Sequence, residues 1–190
     1  MQPTCDAATV AVTAFICANC ARPGQTPDSA GRSRPTVPEF GWPFPVRQVL
    51  VPCTGRLQPE HVLKAFESGA DLVVTVSCEK DNCQYLQGSE RWARRADYVR
   101  TILDEAGLGG ERLRVFYLAG SATEDMALGA GRSAPVCTAE TIDLQVTTIR
   151  DAALRALDGL TPNPLCTAPD NETFQQLYQQ VDIGDEANED

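Results

Sequence analysis

Five cysteines in this chain follow short apolar runs. Cys17 and Cys20 form a CxxC directly after residues 9–16 (TVAVTAFI), Cys53 follows residues 46–51 (VRQVLV) and Pro52, and Cys78 and Cys83 form a CxxxxC after residues 71–77 (DLVVTVS). A CxxC places two sulfurs on one turn within reach of a single metal, and a CxxxxC does the same across a wider loop. Taken alone, VTVSCEKDNCQY (74–85) leaves three chemistries open: a disulfide, a redox pair, or half of a metal site. A cysteine met singly is most often a core filler, because thiols are among the most buried side chains. Five of them at three consecutive strand ends, two short-range pairs included, are better explained as one site. A thioredoxin-like use of Cys17 and Cys20 leaves the other three without a task. Cys5, Cys137 and Cys166 fall outside the pattern and are read as bystanders. The single histidine, His61, carries no ligand spacing, so a metal site here is thiolate-rich. On donor type alone, four thiolates suit an iron–sulfur cluster and structural zinc equally.

The elements that position these residues are legible from periodicity. Residues 9–16, 46–51, 71–77 and 112–118 are β-branched apolar runs of strand length. Between the second and third, Pro59 suits a first helical turn, Val62, Leu63 and Phe66 make an apolar stripe, and Gly69 supplies the stop. Ser89 is the expected N-cap of a longer helix with Trp92, Ala96, Val99 and Leu103 on one face and Gly107 past its end. A last helix is expected over 138–158, with Ile142, Val146, Ile149 and Ala153 inward. Continuous apolar strands alternating with helices predict an α/β domain: a small doubly wound parallel sheet of about four strands with helices on both faces. In such sheets the crevice lies at the carboxyl ends of the strands, the edge to which all five cysteines are assigned.

The expected boundaries are an N-terminal tail (1–8), the α/β domain (9–160) with a proline-rich insert at 21–45 and a second insert at 120–137, and an acidic extension (161–190). The formal charge of −10 is concentrated in that extension, which from Asp170 onward holds seven acidic residues and no Lys or Arg. Removing them brings the body close to neutrality. No basic patch suits it to nucleic acid. No transmembrane segment or signal peptide is apparent, and the expectation is a soluble, cytoplasmic protein. There is no Ser-His-Asp arrangement, no P-loop and no GxGxxG after a strand. Arg91, Arg94 and Arg95 read either as a solvated face paired with Glu90 and Asp97 or as a docking surface for an acidic partner. Trp42 and Phe44 read as an interface anchor in preference to a staple onto the sheet.

In order and spacing, CANC (17–20), AGRSR (30–34), VPCTGRLQPEHVLKAFESGAD (51–71), SCEKDNCQYLQG (77–88) and WARRADYVRTILDEAGLGGERL (92–113) resemble the delta (iron–sulfur) subunit of methyl-viologen-reducing hydrogenase. The same module occurs beside or fused to heterodisulfide reductase A-type (HdrA-like) flavoproteins. The resemblance implies a non-catalytic electron-transfer subunit carrying one [2Fe-2S] cluster. Its implied partners are an HdrA-like flavoprotein and a dehydrogenase, hydrogenase or acyl-CoA reductase module, as in class II benzoyl-CoA reductase. The five motif cysteines match Cys17, Cys20, Cys53, Cys78 and Cys83. A [2Fe-2S] cluster takes four protein ligands, so the resemblance implies the two local pairs as ligands and Cys53 as an adjacent thiol. Where the family usually carries histidine beside the second pair, Glu79 and Gln84 follow Cys78 and Cys83. The alternatives are a zinc-stabilised adaptor without redox role and a thiol–disulfide redox protein using Cys17 and Cys20.

Overall fold

The structure, a computed structural model, describes residues 11–20, 39–119 and 139–165. The expectations for the tail 1–8, the insert 120–137, most of the insert 21–45, Cys5, Cys137, Cys166 and the acidic residues beyond 170 lie outside the described residues. Four strands form one sheet, β1 (Val12–Cys17), β2 (Val46–Val51), β3 (Leu72–Cys78) and β4 (Leu113–Leu118), in the order β2-β1-β3-β4. All neighbouring pairs are parallel. Each strand lies within or one residue beyond its expected span, because β-branched and apolar residues fit a sheet covered on both sides. β1 and β3 are buried along their whole length, whereas the edge strand β2 is half-exposed.

Period-two alternation divides the strand side chains between two cores. Phe15, Val73 and Leu113 pack with Val62 and Phe66 of α1 (Pro59–Glu67) and with Trp92, Ala96, Val99 and Leu103 of α2 (Gly88–Glu105). Ala14, Ile16, Val74 and Val76 pack on the other side with Ile142, Val146, Ile149 and Ala153 of α3 (Ala139–Leu157). The expected stripes of α2 and α3 are thus the buried ones. The Trp92 indole also donates to Thr75 Oγ1 at 2.8 Å, which satisfies two polar groups inside the core.

Three local expectations change. Helix α2 begins at Gly88 with Gln87 in the cap position and no side-chain cap bond, so Ser89 sits inside the first turn. The aromatic run is not a free anchor: Phe40 is buried, stacks on Trp42 at 4.9 Å, and Trp42 and Phe44 pack against the α3-side core. Residues just past Leu160 are bound to the domain. Buried Asn163 donates its side-chain amide to the carbonyls of Phe66 and Ala70, each at 2.8 Å, and its N–H to Asp71 Oδ1. Arg112 adds bonds to Thr161. His61 has a structural task, accepting the Gln58 N–H at 2.9 Å in a capping box at the start of α1.

Candidate metal centre

The chain steps from β1 outward to β2 and returns past β1 to β3. The strand order therefore reverses between β1 and β3, the place where open α/β sheets bind their ligands. Register sets the cysteines at one height there. Cys17 is paired with Val51, two residues before Cys53, and Ile16 with Val76, two residues before Cys78. Parallel strands in that register must present Cys17, Cys53 and Cys78 at the same edge, and the loops behind them return Cys20 and Cys83.

The structure brings all five together, buried and free of disulfides. The Cys78 sulfur lies 3.6 Å from that of Cys17 and 3.6 Å from that of Cys20. Cys17, Cys20 and Cys78 form a group whose sulfurs all fall within 4.8 Å of one another. The Cys53 and Cys83 sulfurs lie beside each other, both against Gly88, and are electrostatically coupled to Cys17 and Cys78. Cys53 is therefore an integral member of the cluster of thiols and not a remote bystander. Two thiolates on one tetrahedral metal at about 2.3 Å are separated by about 3.8 Å, so the closest spacings here are those of sulfurs sharing a metal. The donors are soft, all sulfur, and shielded from water, a set that fits an iron–sulfur group or zinc.

The electrostatics point the same way. Hydrogen bonds from Cys20, Cys53 and Cys78 hold the Cys17 thiol far below the ordinary thiol range against the opposing effect of burial. Cys83 is lowered by its bonds to Cys53 and Cys78, helped by the N–H groups of Ser89 and Tyr85. Cys20 is raised, chiefly by burial. Cys53 and Cys78 are raised by hydrogen bonds to their neighbouring sulfurs, Cys17 first, and then by burial. Without a metal the five thiols are coupled to one another through these hydrogen bonds. Full deprotonation of all five requires a cation among them, which is how metal binding and proton release are coupled.

A supporting shell holds the loops. Asn19 Nδ2 donates to Pro52 O at 2.7 Å, tying the CxxC loop to the Cys53 loop. Gly55 N–H donates to the Cys53 sulfur at 3.3 Å, and Ser77 Oγ bonds Thr54 Oγ1 at 2.9 Å. Gln145 of α3 donates to Glu79 and accepts from Ala119 N–H, fixing the residue after Cys78. Gly55 and Gly88 meet backbone to backbone; a Cβ on Gly88 would stand 2.4 Å from the Cys53 sulfur and 3.2 Å from that of Cys83.

The arginine stripe does not pair with Glu90 and Asp97 as expected. Arg91 bonds Gln87, Glu90 pairs with Lys80, and Asp97 pairs with Arg100. Arg95 turns inward and donates to the carbonyls of Gly55 at 2.7 Å and Leu57 at 2.9 Å, clamping the loop that carries Cys53. Arg94 faces a cleft of about 590 Å³ lined also by Glu79, Lys80, Ser89 and Tyr117. Sequence reasoning missed Arg95, Asn19, Gln145 and Gly88 as site-supporting residues; the signal it could have used is Gly55, two residues after Cys53 in CTGR. Arg95→Ala is expected to destabilise the fold by about 1.5–3 kcal/mol, the range for hydrogen bonds to a charged group. It should also speed alkylation of Cys53 in metal-free protein. Urea unfolding and timed thiol labelling check both effects.

No described helix is long and apolar enough to cross a membrane. A family model described as methyl-viologen-reducing hydrogenase, delta subunit, matches residues 12–129, well over half of the chain and inclusive of all five clustered cysteines. The vhu iron-sulfur subunit of the F420-non-reducing hydrogenase of Methanococcus maripaludis is 37% identical over 94 residues, 50% of this chain and 66% of that protein. Its counterpart from Methanocaldococcus jannaschii is 37% identical over 91 residues, 48% of this chain and 64% of its own length. The chain thus spans just under two thirds of the length of these relatives. A subunit of the ferredoxin:CoB-CoM heterodisulfide reductase of Methanosarcina mazei is 33% identical over 113 residues, 60% of this chain but 13% of that much larger protein.

Proposed function

The chain belongs to the methyl-viologen-reducing hydrogenase delta subunit family, and from that membership we propose that it is an electron-transfer subunit carrying a [2Fe-2S] cluster. It would relay electrons between a hydrogenase- or dehydrogenase-type partner and an HdrA-like flavoprotein in a multi-subunit oxidoreductase. The observation that carries this reading is the convergence of five free, buried thiols at the point where the strand order reverses. Support from the relatives goes to hydrogenase and heterodisulfide reductase complexes and does not extend to an acyl-CoA reductase module. Residence in the cytoplasm is part of the same proposal.

When bound, a [2Fe-2S] cluster supplies reversible one-electron storage. The chain's own residues do the rest. Cys17, Cys20, Cys78 and Cys83 would be its ligands, a choice supported by the close grouping of the first three and by the contact of Cys83 with Cys78. Cys53 is the fifth thiol, beside Cys17 and Cys83. The N–H groups of Asn19, Ser89 and Tyr85, aimed at Cys17 and Cys83, favour added negative charge on those sulfurs and so favour the reduced state. The buried setting keeps water from the sulfurs.

Anaerobically purified protein is expected to be coloured, to contain two irons and two sulfides per chain, and to show a paramagnetic signal on one-electron reduction. Colourless protein with bound zinc and no reducible centre would overturn the proposal in favour of a zinc-stabilised adaptor. That second reading draws on the same grouping of Cys17, Cys20 and Cys78, which suits a single tetrahedral ion. A thiol–disulfide role has less support, because exchange requires an accessible thiolate and Cys17 and Cys20 are 1% and 0% exposed.

A further inference from the structure

Ser89 is one residue past the glycine that packs against Cys53 and Cys83, and its backbone N–H lowers the pKa of the Cys83 thiol. The residue is 1% exposed, and its hydroxyl, shielded from solvent, has no hydrogen-bond partner. Buried hydroxyls are almost always paired, since an unpaired one keeps the full desolvation penalty with nothing to offset it. The cleft that Ser89 borders does not supply a partner, because the oxygen itself is closed off from solvent on that side. A serine hydroxyl turns about a single bond, so it stays beside its own N–H, and that N–H is already committed to Cys83. The hydroxyl thus sits without an acceptor one residue from the glycine against which the Cys53 and Cys83 sulfurs pack.

We infer that Ser89 is a positioning residue for the redox site, its hydroxyl donating a hydrogen bond to the sulfur of the bound cluster and raising its reduction potential. The inference rests on the [2Fe-2S] reading given above. The sign follows from charge. Reduction adds one electron to the iron–sulfur unit, and a donor aimed at its sulfur stabilises the more negative state. The role also gives physical sense to a helix start that lacks a side-chain cap: the first turn of α2 is directed at sulfur and not at its own termini. Here Ser89 contributes two donors from one residue, the N–H to Cys83 and the hydroxyl toward the cluster.

The test is a redox titration of the cluster-loaded full-length protein, followed by electron paramagnetic resonance, for wild type, Ser89→Ala and Ser89→Thr. Ser89→Ala is expected to shift the one-electron equilibrium about tenfold toward the oxidised form, about 59 mV in potential. Its iron and sulfide content should stay at the wild-type level. Ser89→Thr keeps the hydroxyl and is expected to stay near wild type. If Ser89→Ala does not load, Ser89→Gly removes the same hydroxyl and carries the same expectation. An unchanged potential in a fully loaded hydroxyl-free variant overturns the inference while leaving the [2Fe-2S] reading intact. Equal shifts in the Ala and Thr variants overturn it as well, since they report packing and not donation. Wild-type protein without a reducible iron–sulfur centre overturns the functional reading and this inference together.

Discussion

Cys78→Ser is expected to abolish cluster binding, with loss of visible absorption and of essentially all acid-labile sulfide, while Cys53→Ser keeps most of both. The sulfur of Cys78 is the hub of the site. It lies 3.6 Å from both members of the CxxC and hydrogen-bonds the second thiol of its own pair. A serine oxygen there is a hard donor with a far weaker hold on iron in a sulfur environment. It also leaves a hydroxyl in a space built for sulfur, a fold penalty of about 1–3 kcal/mol. That penalty is not expected to unfold the protein. The α1/α2-side core contains none of the five site cysteines, and the α3-side core rests mainly on aliphatic strand and helix residues. Far-ultraviolet circular dichroism of the Cys78 variant should therefore stay close to wild type. A Cys78→Ser protein that retains its cluster would sink the proposed ligand set, and a Cys53→Ser protein that loses it would promote Cys53 from neighbour to ligand.

The parts of this architecture that were legible in the sequence are those governed by local pattern. Continuous β-branched runs located all four strands, and the stripes Trp92, Ala96, Val99, Leu103 and Ile142, Val146, Ile149, Ala153 are the buried faces of α2 and α3. Strand ends then fixed where the cysteines had to lie, because parallel strands in register present their carboxyl ends together. The features that escaped depend on what lies across space. Ser89 has the side chain of an N-cap, yet the helix starts two residues earlier, with Gln87 in the cap position and Gly88 packed against Gly55 and the two sulfurs. Arg95 shares a stripe with Arg91 and Arg94, yet it finds two carbonyls of a loop that lies 38–40 residues away in sequence. The aromatic run 40–44 has the composition of an exposed anchor, and only the open face left beside α3 shows that it packs inward. Asn163 looks like a residue of an acidic extension, and its role appears only once the carbonyls at the end of α1 are seen to need a donor.

The donors grouped around the five thiols include no histidine, since the single histidine is occupied in a helix cap. Backbone N–H groups, those of the first turn of α2 among them, face the thiols instead. That turn packs so closely that its first residue has no room for a side chain.

Gly88→Ala is accordingly the second substitution with a large expected effect, and its sign separates packing from propensity. Alanine is the better helix former by about 0.5–1 kcal/mol, and Gly88 does not lie among the residues with positive φ, so on backbone grounds the change should stabilise α2. Sterics oppose it. The added Cβ would stand 2.4 Å from the Cys53 sulfur and 3.2 Å from the Cys83 sulfur, and Cys53 has little room to retreat because Gly55 N–H and the Arg95 clamp hold its loop. Overpacking of this kind costs about 1–3 kcal/mol, more than the propensity gain, and here the strain falls on a ligand and its neighbour. The expected result is iron content well below wild type together with a net loss of stability in urea unfolding. Adding Cys53→Ala removes the shorter of the two contacts. If Cys53 is the fifth thiol and not a ligand, the double variant should recover most of its iron, a coupling that neither single change predicts. A Gly88→Ala protein with full iron content and raised stability would show that α2 does not press on the thiols as the backbone places it. A double variant that stays empty would instead assign Cys53 to the cluster itself.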